Sequence, residues 1–181
     1  EKRVFMKKII LLLFVMSSIK MQATKPSYIY EITPDSLGLS YQQNDVKYND
    51  SIVIHSWLIK PLIKNELNSK LILISYGDAG NMSNFLELAY LLAEKGYSVA
   101  MYDYRGFGKS SAFAYNSKFL FHDEYIDDLK AVFQFYQKDF STIYGYGLSM
   151  GGIIISKSNL NFKKIVLEST PNNLPLFIER L

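Results

Sequence analysis

The stretch Gly145-Tyr146-Gly147-Leu148-Ser149-Met150-Gly151-Gly152 decides the fold that this sequence predicts. Its core matches G-x-S-x-G, in which a serine lies on a sharp turn between a strand and a helix. Glycine is needed two residues before and two residues after Ser149, because side chains there would clash with the helix and the strand. The preceding residues 142–144 are strand formers. We therefore predict a strand–turn–helix that exposes the Ser149 hydroxyl, a nucleophile elbow, rather than a glycine-rich turn with an idle serine.

Two apolar runs upstream of this motif predict the centre of a parallel sheet. Residues 71–76 form one continuous apolar run and residues 98–102 form another, as expected for strands that are buried on both faces. A helix is predicted between them at residues 84–95, with Asn84 as its N-cap and Gly96 at its end. Strand, helix and strand with short links are typical of a βαβ unit.

Weaker patterns predict the remaining elements. An amphipathic helix is expected at residues 123–138, and its acidic first turns suit the helix dipole better than a metal site. His55 and His122, the only histidines, are interpreted as structural residues of a strand and of a helix entrance. Additional strands are predicted at residues 28–32, 39–48, 52–59 and 164–167.

A second glycine loop runs from Asp103 to Ser110. Gly108-Lys109-Ser110 is similar to the end of a phosphate-binding loop, but Asp103 stands where that motif requires glycine. Nucleotide binding is therefore excluded by the spacing. The loop is predicted to be a tight turn beneath the site, with Asp103 and Arg105 available for local ion pairing.

The amino-acid composition excludes several classes of function. The chain has no cysteine, which excludes a disulfide framework, a thiol nucleophile and cysteine metal sites. The net charge of +3 comes from residues 1–23, which carry five basic and one acidic side chain and leave 15 basic and 16 acidic elsewhere. A nearly neutral body predicts no nucleic-acid partner. Neither a cofactor nor a metal is expected.

The N-terminal residues 1–23 are typical of a signal peptide. Lys7-Lys8 precede an apolar run at residues 9–16, which is too short to span a bilayer. Cleavage after Ala23 would export the protein to the periplasm or the medium. The alternatives are an uncleaved segment that associates with the membrane surface and a buried helix.

From about Asp50 onward, the chain resembles the α/β-hydrolase fold of serine hydrolases. Residues 76–81 resemble the family's glycine loop after its third strand, Asp103–Ser110 its loop after the fourth, and the Ser149 motif its elbow after the fifth. The three motifs together look like the branch of serine aminopeptidase-like proteins and acyl-protein thioesterases. The resemblance implies a mostly parallel sheet with helices on both faces.

The resemblance also implies roles for particular residues. Ser149 would be the nucleophile, and the backbone N–H groups of Met150 and Asp78 would form the oxyanion hole. Tyr76 stands where the family usually has a loop-shaping histidine, and the Asp78 carboxylate would oppose a forming oxyanion unless it points away. The substrate would be a small-molecule or acylated ester, thioester or amide.

The family's acid and histidine, which follow the serine, have no match, since no histidine follows Ser149 in the 181 residues. We therefore interpret residues 24–181 as the N-terminal two-thirds of a hydrolase domain, truncated after the sixth strand and inactive alone. The alternative is a non-catalytic relic or binding module that retains the scaffold. An open strand at residues 164–167 would favour self-association.

Overall fold

A six-stranded, mostly parallel sheet forms the centre of the fold in the computed structural model, which describes residues 24–171. Its strand order is β2-β3-β6-β4-β7-β8; β2 and β3 are antiparallel to their neighbours, and the remaining pairs are parallel. Two very short strands, β1 and β5, pair separately. The strands are β1 Lys25–Pro26, β2 Tyr41–Lys47, β3 Val53–Ile59, β4 Lys70–Ser75, β5 Ala79–Gly80, β6 Ser98–Tyr102, β7 Thr142–Leu148 and β8 Ile165–Glu168.

The most apolar runs occupy the middle of the sheet. β4 lies between β6 and β7, and its residues 71–75 are buried, as are all five residues of β6. Both strands were predicted from their continuous apolar character, which is required where helices cover both faces. β2 lies at one edge and is largely polar, with Val46 as its buried residue.

Within the described residues, three α-helices cover the sheet: α1 Leu86–Glu94, α2 Glu124–Tyr136 and α3 Met150–Lys157. α1 packs on β6, α2 on β2 and β3, and α3 on β4 and β7, while α2 and α3 also touch each other. Because parallel crossovers are right-handed, the reversed step from β4 to β6 places α1 on the face opposite α2 and α3. The predicted helices on both faces are confirmed.

Two local predictions were wrong. Residues 28–32 are not a strand; Tyr28 and Ile29 are exposed there, and the nearby pairing is made by Lys25–Pro26 instead. Asn84 does not cap α1, because a 3-10 helix at Met82–Phe85 precedes it, and Asn81 is the residue that accepts the Ser83 N–H. Periodicity alone does not show which of two nearby asparagines starts the helical turn.

Of the two residues of the second glycine loop that were available for ion pairing, Arg105 forms an ion pair within residues 24–171 and Asp103 does not. Arg105 pairs with buried Asp128 of α2: Nε donates to Oδ1 at 2.8 Å, and the Arg105 backbone N–H donates to Oδ2 at 2.8 Å. Asp128 is therefore a structural partner of the loop and not one of the acids that serve the helix dipole. Asp103 has no cationic partner among the described residues and is bound by hydroxyl and amide donors, as described below.

Within residues 24–171, no helix has the length and apolar character needed to cross a bilayer. The signal-peptide prediction falls on residues 1–23, which lie outside the described part.

Candidate active site

Ser149 lies between β7 and α3 with a backbone conformation that is unusual for a serine. Its φ is 50° and its ψ is −116°, whereas residues with a Cβ normally avoid positive φ. The Ser149 N–H donates to the Glu168 carbonyl at the end of β8 at 2.9 Å, and the Ser149 carbonyl accepts from the Gly152 N–H at 3.0 Å. These bonds fix a strained turn that leaves the serine partly exposed.

The glycines around Ser149 are required by close backbone contacts. A Cβ atom on Gly147 would lie 2.5 Å from the Gly152 Cα, inside the first turn of α3. A Cβ atom on Gly151 would lie 2.0 Å from the Ser75 carbonyl oxygen, at the end of β4. The turn can therefore form only where both positions lack a side chain, which is the steric reason for the predicted spacing.

The loop after β4 lies directly against this turn. A Cβ atom on Gly77 would be 3.9 Å from the Ser149 Cβ, so the loop backbone passes beside the serine. Among the described residues, neither the Asp78 N–H nor the Met150 N–H donates a hydrogen bond. The structure thus brings the loop that carries Asp78 to Ser149 and Met150, and it leaves both amide donors available.

The buried carboxylate of Asp103 holds the loop after β4 in place through hydrogen bonds. The carboxylate accepts hydrogen bonds from the Tyr30 hydroxyl, from the Tyr76 hydroxyl at 3.0 Å and from the Met82 N–H at 2.8 Å. The Lys109 N–H is a longer donor at 3.3 Å. Tyr76, which resembles the family's loop-shaping histidine in position, is itself fully buried. Sequence reasoning interpreted Asp103 as available for ion pairing and missed Tyr30 altogether.

Burial raises the pKa of the Asp103 carboxyl, while its hydrogen bonds from Tyr30, Met82 and Tyr76 work in the opposite direction. Burial also raises the pKa of the Tyr76 hydroxyl, and the Asp103 charge adds to that increase. Tyr76 therefore stays protonated and remains a donor. A carboxylate surrounded by donors in a buried position holds backbone segments together.

His55 is not placed to assist Ser149. His55 lies on β3, and β6 and β4 separate β3 from β7, a distance of three strand spacings or about 14 Å. Its Nδ1 is 2.7 Å from the Asp45 carboxylate, and its Nε2 is buried without a partner among the described residues. The His122 Nε2 accepts the Asn116 N–H at 3.2 Å. The burial of His55 and its contact with Asp45 agree with the predicted structural role, and the structural interpretation of His122 stays a prediction.

The described residues contain no group of three or more histidine, cysteine or acidic side chains that could hold a metal ion. The acids at the start of α2 include Asp127, which is half-exposed near Lys130, and Asp128, which is paired with Arg105.

Comparison with known proteins gives a family match over the centre of the chain. The family described as serine aminopeptidase, S33, matches residues 68–168, which is more than half of the 181 residues. The match begins before β4 and ends at the last residue of β8, so it includes all three glycine motifs.

Two curated relatives match longer proteins. The Arabidopsis thaliana alpha/beta hydrolase domain-containing protein WAV2 is 29% identical over 150 residues, which are 78% of this chain and 46% of that protein. The Saccharomyces cerevisiae uncharacterized membrane protein YNL320W is 35% identical over 79 residues, which are 43% of this chain and 26% of that protein. The chain spans less than half the length of either relative.

Solved structures show the same architecture. The Pyrococcus furiosus esterase Pf2001 aligns with a TM-score of 0.68 at 22% identity, covering 84% of this chain and 60% of that one. The Exiguobacterium antarcticum esterase EaEST aligns with a TM-score of 0.58 at 24% identity, covering 71% of this chain and 46% of that one. These likenesses confirm the α/β-hydrolase fold and show that this chain is the shorter one.

Proposed function

Because the chain belongs to the serine aminopeptidase, S33, family of α/β-hydrolase proteins, we propose that it is a serine hydrolase in which Ser149 forms an acyl-enzyme. Family membership supports a hydrolase activity in general. The observation that carries the finer proposal is Ser149 at positive φ between β7 and α3, with the Gly77 backbone beside it. The strained turn presents a hydroxyl to a place where two amide donors are available.

In the proposed step, Ser149 Oγ attacks the carbonyl carbon of an ester, thioester or amide. The C–O bond forms as the hydroxyl proton passes to a base, and the carbonyl electron pair moves onto oxygen. The Met150 and Asp78 N–H groups would donate to that oxyanion, which is worth about 10²–10³ in kcat for each well-placed donor. Collapse expels the protonated leaving group, and water then hydrolyses the acyl-enzyme.

The proposed reaction is limited by the lack of a histidine base after Ser149 in the 181 residues. Both histidines precede Ser149, and His55 is about three strand spacings away. In one serine protease, loss of the histidine costs about 2 × 10⁶ in kcat, and roughly 10³–10⁴ over water remains. We therefore propose that this chain alone has little activity, whereas a protein or partner segment that supplies the acid and histidine would be a competent enzyme.

The proposed substrate is a small or acylated molecule, with no metal, cofactor or nucleic-acid partner. The mechanism requires only a serine, amide donors and a base, and the chain outside residues 1–23 is nearly neutral. The name of WAV2 and the titles of the two esterases support hydrolysis and an ester as the first class to test.

Export is proposed on the N-terminal pattern of Lys7-Lys8 and the apolar run that follows. N-terminal sequencing of protein from the native host should find a start near Thr24. Retention of Met6 on cytoplasmic protein would contradict export.

Trapping the acyl-enzyme tests the proposed function. Incubation with p-nitrophenyl acetate should release p-nitrophenol barely above background, with little change for Ser149→Ala. Acetylation of Ser149 should nevertheless be detectable by mass spectrometry after an acid quench, because deacylation also lacks its base. Acetylation that is equal in wild type and Ser149→Ala would exclude Ser149 as the nucleophile and favour a non-catalytic binding module.

A further inference from the structure

Residues 24–30, called the N-terminal strap, lie against the loops that follow β4 and β6. The strap precedes the family match at residues 68–168. Its Lys25 N–H donates to the Asp78 carbonyl at 2.9 Å, and its Ser27 N–H donates to the Gly80 carbonyl at 2.7 Å. The strap is therefore bonded to the same loop that carries the proposed oxyanion donor.

The strap is also tied to the second glycine loop and to Asn81. The Ser27 carbonyl accepts the Gly108 N–H at 3.0 Å, and the Asn81 side-chain amide donates to the Ile29 carbonyl at 2.7 Å. Asn81 closes the loop after β4, because its side-chain oxygen accepts the Ser83 N–H at the start of the 3-10 turn. The strap thus holds together the two glycine loops that follow the C-terminal ends of β4 and β6.

Tyr30 is the last residue of the strap, and its side chain packs against the body of the fold. Its ring packs edge-on against Trp57 with centroids 4.7 Å apart, and the Lys109 ammonium lies 5.2 Å from its centroid. From this position the hydroxyl donates to buried Asp103. Tyr28, two residues earlier, is 60% exposed. One tyrosine of the strap is therefore fixed inside, and the other supplies a matched control.

Asp103 connects Tyr30 to both ends of the loop beside Ser149. One of its oxygens accepts from the Tyr76 hydroxyl and from the Met82 N–H, which bracket residues 77–81. The other oxygen accepts from Tyr30 and Lys109. The loop is consequently held at its two ends by Asp103 and in its middle by the strap.

We infer that the N-terminal strap, held in place by the hydrogen bond from Tyr30 to Asp103, sets the position of the Asp78 N–H relative to Ser149. Tyr30 and Asp103 are positioning residues that act through the loop. This role deepens the proposed function and rests on it, since it assigns part of the geometry of the oxyanion hole to the strap, which lies outside the matched family region, acting through Asp103 within that region. A misplacement of about 1 Å in such a site costs on the order of 10²-fold in rate.

The test compares Tyr30→Phe with Tyr28→Phe in the full 181-residue chain. Each variant is treated with a fluorophosphonate in the presence of imidazole, which supplies a base, and Ser149 modification is followed by mass spectrometry. We expect Tyr30→Phe to lower the rate constant of the folded protein at saturating probe about tenfold, with little change in half-saturation and with a lower Tm from the lost hydrogen bond. Tyr28→Phe should behave as wild type. Amide hydrogen exchange at residues 77–80 should be faster only in Tyr30→Phe.

The outcomes separate this inference from the proposed function. An equal labelling rate in the two variants, with equal exchange at residues 77–80, would overturn the strap's role while leaving Ser149 as a nucleophile. A lower Tm for Tyr30→Phe with an unchanged rate constant for the folded fraction would make Tyr30 merely structural and would also overturn it. If wild type is not labelled at Ser149 even with imidazole, the proposed function fails. In that case faster exchange in Tyr30→Phe alone would still support a loop held by the strap, and unchanged exchange would overturn it.

Discussion

The carbonyl oxygen of Ser75 lies 2.0 Å from the position that a Cβ atom on Gly151 would occupy. Gly151→Ala must therefore push the end of β4 away from the start of α3, and neither backbone has room to move. We expect the free energy of unfolding to fall by about 3 kcal/mol in urea denaturation. Gly77→Ala is the matched control, because its Cβ would meet the nearest neighbour at 3.9 Å. Equal stability of the two variants would contradict the close contact.

The raised pKa of Asp128 should be detectable in the pH dependence of the free energy of unfolding. That pKa is raised to about 6, because burial disfavours the carboxylate more than the Arg105 hydrogen bonds and charge favour it. A carboxyl with a higher pKa in the folded chain than in the unfolded chain stabilises the fold when protonated, and this contribution is lost as the pH rises through about 6. The unfolding free energy of wild type relative to Asp128→Asn should therefore fall by on the order of 3 kcal/mol between about pH 4 and pH 7.

Asp127→Asn is the second variant for that series, since the charge of the adjacent Asp127 adds to the raised pKa of Asp128. Without that charge, the fall in the free energy of unfolding over the same pH range should be smaller than in wild type. If the difference between wild type and Asp128→Asn instead rises with pH, the Arg105 ion pair outweighs burial and the expected sign is wrong.

Sequence patterns predicted the strands that are buried on both faces of the sheet. β6 was predicted at its observed bounds, Ser98–Tyr102, and all five of its residues are buried, including the polar Ser98. The Ser149 turn was predictable for a different reason, since two glycines are required by backbone contacts with Ser75 and Gly152. The roles of Ser149, Met150 and Asp78 remain proposals.

The connections between distant residues could not be predicted. Residues 28–32 have strand-like side chains, but only Tyr30 turns inward, and its partner Asp103 is 73 positions away. Asp128 stands among four acids near the start of a helix, and nothing in that pattern indicates that Arg105, 23 positions away, binds it. Asp103 directly follows a largely apolar strand, and this position was the available signal that its carboxylate is buried and holds the loops.

Self-association through β8 is a further prediction. β8 lies at the edge of the described sheet, and Ile165, Val166 and Leu167 are between 43% and 55% exposed. Exposed apolar edge strands pair with other chains, and a lysine on the edge opposes that pairing. We expect the wild-type chain to self-associate in sedimentation experiments and Val166→Lys to weaken the association about tenfold. Ile63→Lys, at a loop residue that is 49% exposed, is the control. A monomeric wild type would contradict the prediction.

The most direct test of the central claim is the imidazole dependence of fluorophosphonate labelling at Ser149. The claim is that the strained turn and the amide donors are in place and that the base is missing. We predict slow labelling confined to Ser149, absent in Ser149→Ala, and accelerated several-fold by imidazole in the wild type only. Fast labelling without imidazole would show that a base is present after all. Labelling that imidazole leaves unchanged, or that persists in Ser149→Ala, would contradict the assignment of Ser149 as a nucleophile awaiting its base.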